Sequence, residues 1–181
     1  MEKKSNSIVK TALQYGAILA AASIVYSVFL HAIGQNTNQA LGAISYLITL
    51  VIIGVSLKIQ RDSHQGGYLT YGEGVKLGFL ISLFAGIVVA GFAIFMVKQI
   101  DPSIEEEAVN KALEEALKQG GQESQLEMTE KMTRFMFKPV MLYAVTLILT
   151  VIIGVIESLI LAAIFQKKKD PFSNAMEEVE K

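Results

Sequence analysis

One acidic residue, Glu157, lies within a long apolar run and is the strongest candidate for chemistry in the sequence. About ten residues separate it from the lysine run that follows, which places it roughly 15 Å inward along a helix. A charged group near the centre of a membrane helix costs about 2.5–3.5 kcal/mol, so Glu157 must be protonated, paired or hydrated. Two interpretations follow: a polar intramembrane site for a proton or cation, with Ser158 and Lys76 nearby, or a hydrogen-bonded structural acid.

The other reactive residue types form no recognisable site. The chain has no cysteine and only two histidines, His31 and His64, so thiolate chemistry is excluded and no metal-ligand cluster is indicated. The sequence contains no Ser-His-Asp arrangement, phosphate loop or HExxH motif. We therefore expect no catalytic residues, no metal and no cofactor. A net charge of −1 gives no reason to expect a nucleic-acid partner.

Four long apolar segments must position Glu157, and they indicate a membrane protein. The 181 residues are 52% hydrophobic and only 18% charged, whereas ordinary soluble domains carry roughly 25% charged residues. A membrane-spanning helix needs about 20 mainly apolar residues. The segments that meet this length are about 11–33, 40–57, 75–97 and 140–165. The basic N-terminus also resembles a signal peptide, but the first apolar run exceeds the roughly 7–15 residues of such a segment, so we expect a retained span.

The positive residues predict the orientation of these spans. They precede the first span, border the link between the second and third, and follow the fourth: Lys3, Lys4, Lys10, Lys58, Arg61, Lys76, Lys167, Lys168 and Lys169. Positive residues near spans favour the cytoplasm. We therefore expect a multi-pass protein of the inner (cytoplasmic) membrane with both termini in the cytoplasm.

The acidic link between the third and fourth spans is predicted to form an extracytoplasmic helical hairpin, at about 101–138. Asp101-Pro102 is a helix-start signal, and Gly120-Gly121 is the usual stop. A second amphipathic stretch then carries Met128, Met132, Phe135 and Met136 on one face. Two interpretations remain open: a module that docks a partner through adaptable methionines, or a cap that rests on its own bundle or on the lipid interface.

Small residues recur every four positions in the third span, at Gly74, Gly78, Ser82, Gly86 and Ala90. Such a row forms a groove that admits a neighbouring helix closely. The first span carries a related row at Gly16, Ala20, Ser23 and Ser27. Either these two rows pack together within one chain, or the groove of the third span forms a homodimer.

The link before the third span reads RDSHQGGYLTYGEGVKLG from Arg61 to Gly78. Gly66-Gly67 permits a turn, and Thr70 with Glu73 predicts a capping box that starts the helix near Tyr71. An anion or lipid-headgroup site formed by Arg61, Lys76 and this helix start is the functional alternative.

This motif, followed by Ile100-Asp101-Pro102 after the third span, resembles the bacterial membrane family known as the domain of unknown function numbered 4199. The resemblance covers about 7–172 and implies a four-helix membrane protein without an assigned activity. We therefore predict an all-α chain: an integral membrane four-helix bundle at 1–172 and a flexible acidic tail at 173–181. The expected function is non-enzymatic, as a structural, accessory or scaffolding component in contact with the bilayer and a membrane protein partner. The alternative is a small transporter or channel that uses Glu157.

Overall fold

A computed structural model describes residues 2–35 and 38–167 of the chain. Lys168, Lys169 and the predicted tail at 173–181 lie outside the described residues. Within the described ranges the secondary structure is helical, with no strand and a single β-bridge between Leu69 and Lys167.

Seven α-helices follow one another in the described ranges. They are α1 (Glu2–Ala32), α2 (Gln39–Gly42), α3 (Ile44–Ile59), α4 (Tyr71–Phe95), α5 (Ser103–Lys118), α6 (Glu123–Met136) and α7 (Pro139–Phe165). Short π-helical turns, Gln60–His64 and Met96–Ile100, extend α3 and α4. Four stretches are long and apolar enough to cross a membrane: Ser7–Ala32, Ala40–His64, Tyr71–Ile100 and Pro139–Phe165. The prediction of an all-helical chain with four such helices is confirmed.

The helix boundaries differ from the apolar segments at the charged ends. Helix α1 begins at Glu2, and α3 continues through its π-helical turn to His64. Hydrophobicity marks the part of a helix that lipid can cover, whereas the backbone hydrogen bonds continue into polar residues. The π-helical turn that extends α3 stops before Gly66 and Gly67, whose φ angles of 63° and 88° favour glycine.

The start of α4 follows the sequence prediction. Thr70 is the N-cap, its hydroxyl accepts from the Glu73 amide, and the Glu73 carboxylate accepts from the Thr70 amide at 3.0 Å. Both halves of the capping box are therefore present, and α4 begins at Tyr71.

The four long helices form a bundle in which α4 packs against α7 and α1, and α3 packs against the same two helices. Buried aliphatic side chains fill its centre: Ile8, Leu19, Ile53, Leu57, Leu77, Ile81 and Leu161. Large apolar side chains also cover the outside of the bundle, among them Val25, Leu47, Val51, Ile148 and Ile164. A surface this apolar is suited to lipid rather than to water.

Between α4 and α7 the chain forms α5 and α6, which pack against each other. The Asp101 carboxylate accepts from the Ser103 amide at 2.9 Å and from its hydroxyl, and these hydrogen bonds lower the pKa of Asp101. α5 ends before Gly120, whose φ angle is 78°. Glu105 then pairs with Lys98 at 3.2 Å and with Arg134 of α6 at 3.9 Å, which ties both helices to the end of α4.

Candidate functional site

The small-residue groove of α4 is filled by a matching row of small residues on α7. A β-carbon built on Gly74 would lie 2.9 Å from that of Ala162, and one on Gly78 would clash with Ser158. One built on Gly154 would overlap Ser82. The two antiparallel helices thus approach closely along three successive turns, and we call this contact the α4–α7 zipper. Gly86 extends it, since its β-carbon would lie 2.9 Å from Leu147 Cδ1; Ala90 is also buried.

Of the two interpretations of this groove, the one in which the α1 row packs into it is therefore wrong. Helix α1 packs on an adjoining face of α4, where a β-carbon on Gly16 would lie 2.9 Å from Phe84 Cβ and 3.2 Å from the Ile81 carbonyl oxygen. The physical reason is that Gly154, Ser158 and Ala162 form their own row at four-residue spacing on α7. Because α7 covers the groove, a homodimer of this chain would have to use another surface.

Glu157 lies beside the zipper, and its predicted partners do not converge on it. The side chain is 8% exposed, and its Oε2 has no hydrogen-bond partner among the described residues. The Ser158 hydroxyl donates to the Val155 carbonyl oxygen at 2.9 Å and packs against Gly78. Lys76 is exposed on α4, and no ion pair joins it to Glu157 within the described ranges. The interpretation that Glu157 is a structural acid held by hydrogen bonds therefore lacks a partner for Oε2.

A cavity of about 240 Å³ lies between the four long helices. Six of its ten lining residues carry hydroxyl groups: Ser23 and Ser27 of α1, Ser45, Tyr46 and Thr49 of α3, and Thr150 of α7. A second cavity of about 270 Å³ shares Ser23, Ser27 and Val89 with it, and extends to Ile104 of α5 and Phe137 after α6. This site could not be predicted from the sequence, because hydroxyl residues scattered over three helices carry no spacing signal.

At the opposite end of the bundle, buried polar side chains connect α1 to the link that follows α3. Thr11 donates to Gln60 Oε1 at 2.7 Å, and Gln60 Nε2 donates to Ser7 Oγ at 3.3 Å. Gln60 and Thr11 are almost fully buried, so these bonds satisfy groups that lipid would leave unpaired. We call Ser7, Thr11 and Gln60, together with the Thr70–Glu73 cap, the polar junction.

Two of the three parts of the predicted anion site, Arg61 and the start of α4, are engaged in other contacts. Arg61 pairs with Asp62 at 2.6 Å, donates to the Phe165 carbonyl oxygen at 3.4 Å and lies 5.8 Å from the centre of the Phe165 ring. The carboxylate of Glu73 occupies the start of α4. Lys76 is exposed one turn further along α4.

A groove of about 700 Å³ lies between α6 and the start of α7, and we call it the methionine groove. Met128, Met132, Phe135 and Met136 of α6 form one side, and Met141 and Val145 of α7 continue it. The side chains of Met128 and Met132 are 65% and 55% exposed. Glu127 and Lys131, paired at 3.3 Å, also line this groove.

In the comparison with protein-family models, residues 14–167 match the family described as "Protein of unknown function (DUF4199)". The chain belongs to the DUF4199 family. This match confirms the resemblance; it includes the last three spans completely and the first span from residue 14 onward. No curated protein and no solved structure matches the chain.

In this DUF4199 protein, the motif between Arg61 and Gly78 has a visible structural use. It turns at Gly66 and Gly67, pairs Leu69 with Lys167 through two backbone hydrogen bonds of 2.9 and 3.0 Å, and caps α4. The motif therefore fixes the end of α7 beside the start of α4. The described residues contain no cluster of three or more histidine, cysteine, aspartate or glutamate side chains that could hold a metal ion.

Proposed function

We propose that this DUF4199 protein is a non-enzymatic accessory or scaffolding component of the inner membrane, and that α5 and α6 form an extracytoplasmic hairpin which docks a second membrane protein. The orientation rests on the lysines and arginine that flank the spans on one side of the bundle. The non-enzymatic role rests on a sequence without catalytic motifs.

The methionine groove is the observation that carries this proposal. Its walls are exposed and mainly apolar, and the flexible side chain of methionine suits a surface that adapts to a partner. The groove runs from α6 onto Met141 and Val145 of α7, so it is continuous with the lipid-facing side of that helix. A partner that fits this shape is a membrane protein whose helix lies beside α7 and whose adjoining apolar segment fills the groove.

The test compares two matched glutamate substitutions in the α5–α6 pair. Met132 lines the groove and is 55% exposed, whereas Leu117 lies on α5 outside the groove and is 57% exposed. After extraction in mild detergent, the wild-type protein and the Leu117→Glu variant should each migrate in a complex with the partner. The Met132→Glu variant should migrate without it. A wild-type protein that is always monomeric would contradict the proposal, as would a complex that survives Met132→Glu. A complex that contains this chain alone would identify the partner as a second copy.

Glu157 supports a second candidate function, in which the protein is a small transporter or channel. A carboxyl group that is almost fully buried without a partner for Oε2 is costly unless a proton or cation neutralises it. Ion flux into liposomes should then depend on Glu157 and fall in Glu157→Gln. Equal flux in the two proteins, or none in either, would contradict this function.

A further inference from the structure

Glu157 lies on the same face of α7 as Thr150 and Ile153, which line the hydroxyl-rich cavity, and about one turn beyond that lining. Helical residues are about 100° apart, so Glu157 lies about 20° from Thr150 and about 40° from Ile153 around the axis. Thr150 and Ile153 both line the cavity. Ile153 is one turn before Glu157, about 6 Å along the helix. Side chains of a helix lean toward its N-terminus, so the Glu157 side chain extends toward this cavity.

The cavity is lined mainly by apolar surface, but its six hydroxyl groups give water the polar partners that a purely apolar cavity lacks. Apolar cavities stay dry, whereas a buried water molecule makes about three hydrogen bonds to polar groups. Five serine and threonine hydroxyls and that of Tyr46 supply donors and acceptors in a volume of about 240 Å³. The hydroxyls of Thr49 and Thr150 donate to the Ser45 and Thr146 carbonyl oxygens, which leaves their oxygens able to accept from water.

The cavity extends toward the end of the bundle where α5 and α6 lie. Ser23, Ser27 and Val89 belong to both cavities, and the second cavity reaches Ile104 and Phe137 beyond the ends of the spans. On the other side of Glu157 the bundle is closed, since Leu57, Leu77 and Ala162 have no exposed surface. The route to the carboxyl group is therefore one-sided.

We propose that Glu157 forms the floor of a water-filled crevice that opens toward α5 and α6 and binds a small monovalent cation, either a proton or Na⁺. A carboxylate with surrounding hydroxyl and water oxygens is the donor set that hard cations prefer. Tyr46 is the one titratable side chain lining the two cavities in the described part of the chain. The closed end of the bundle is marked by Leu57 and Leu77. The charged residues next to them in the sequence, Lys58 of α3 and Lys76 of α4, are exposed.

Cation binding at Glu157 deepens the second candidate function and does not depend on docking at the methionine groove. The cation enters and leaves from one side, and transport would need a second conformation open at the polar junction. A failure of ion flux would therefore remove the transport function while leaving the binding site testable by itself.

The first experiment measures access to the crevice with single cysteines, which the absence of native cysteine makes direct. The substitutions Ser27→Cys and Thr150→Cys each place a thiol in the lining of a cavity. Ile152→Cys places one on the exposed apolar side of α7. In proteoliposomes, a membrane-impermeant thiol reagent should label both cavity positions at least tenfold faster than Ile152→Cys. Labelling of Thr150→Cys no faster than that of Ile152→Cys would overturn the proposal.

The second experiment identifies the cation in the intact protein. Binding of radioactive Na⁺ that is lost in Glu157→Gln identifies Na⁺. Alternatively, an infrared band of a protonated carboxyl group, absent in Glu157→Gln and shifted rapidly by D₂O, identifies a hydrated proton site. If neither signal depends on Glu157, the proposal is wrong. Because Glu157→Gln could disturb folding, thiol modification of Thr150→Cys serves as the second test: it should block either signal in a chain that retains Glu157.

Discussion

The substitution Gly154→Ala tests the α4–α7 zipper with the smallest possible perturbation. The added β-carbon would lie 2.5 Å from Ser82 Cβ and would overlap the Ser82 hydroxyl. The hydroxyl can rotate away, but the Ser82 β-carbon is fixed by the backbone of α4. The two helices must therefore separate locally, which loosens the adjoining contacts at Gly78 and Ser158.

The expected loss of stability follows from two opposing effects. Overpacking a close contact costs about 1–3 kcal/mol, whereas replacing glycine by alanine inside a helix favours folding by up to about 1 kcal/mol. We expect Gly154→Ala to reduce the free energy of unfolding by about 1–2 kcal/mol. Gly91→Ala is the matched control on α4, because its β-carbon would meet nothing within 4 Å.

The assay is reversible unfolding in mixed detergent micelles, read by helical circular dichroism. Adding Ser82→Gly to Gly154→Ala should restore room for the new methyl group, so the two changes should couple by about 0.5–3 kcal/mol. If Gly154→Ala is as stable as Gly91→Ala, or if Ser82→Gly gives no rescue, α7 does not occupy the groove as described.

Three further predictions concern the ends of the bundle. Thr70→Ala should lower stability by about 1 kcal/mol, because the capping box at the start of α4 is lost; unchanged unfolding would show that the cap adds nothing. Hydrogen bonds from Ser103 lower the pKa of Asp101, so their contribution is present above its unfolded pKa of about 3.9 and is lost as the pH falls through the lower folded pKa. Amide protection at the start of α5 should decrease over that acidic range, and less so in Asp101→Asn. An impermeant thiol reagent outside intact cells should label Ser124→Cys, whereas Ser63→Cys should react only after permeabilisation; the reverse result would invert the proposed orientation.

The elements whose physics is local could be predicted from the sequence. Long apolar runs locate the helices that can cross a membrane, because lipid provides no partner for unpaired backbone groups. Thr70 and Glu73 form their capping box, because both bonds lie within one turn. The start of α5 at Ser103 likewise follows from Asp101-Pro102.

Features that depend on the rotation of one helix against another could not be predicted. Two rows of small residues, on α1 and α7, have the spacing to fill the α4 groove, and spacing alone does not decide between them. The sequence indicates Lys76 as a partner for Glu157, yet Lys76 is exposed on α4. The hydroxyl-rich cavity is a space that the side chains of four helices leave unfilled where they meet, so it cannot be predicted from any single segment.

We expect the zipper and the cavity to be coupled, because they occupy neighbouring faces of the same stretch of α7. Close approach at Gly154 and Ser158 draws α7 toward α4, while Thr150 and Ile153, on the adjoining face, border the space between the four helices. We therefore expect Gly154→Ala, which pushes α7 away from Ser82, to change the reactivity of Thr150→Cys toward the impermeant reagent at least threefold. Gly91→Ala should leave that rate unchanged. Equal rates in both backgrounds would mean that the cavity is held open independently of the zipper, by the packing of α1 and α3 alone.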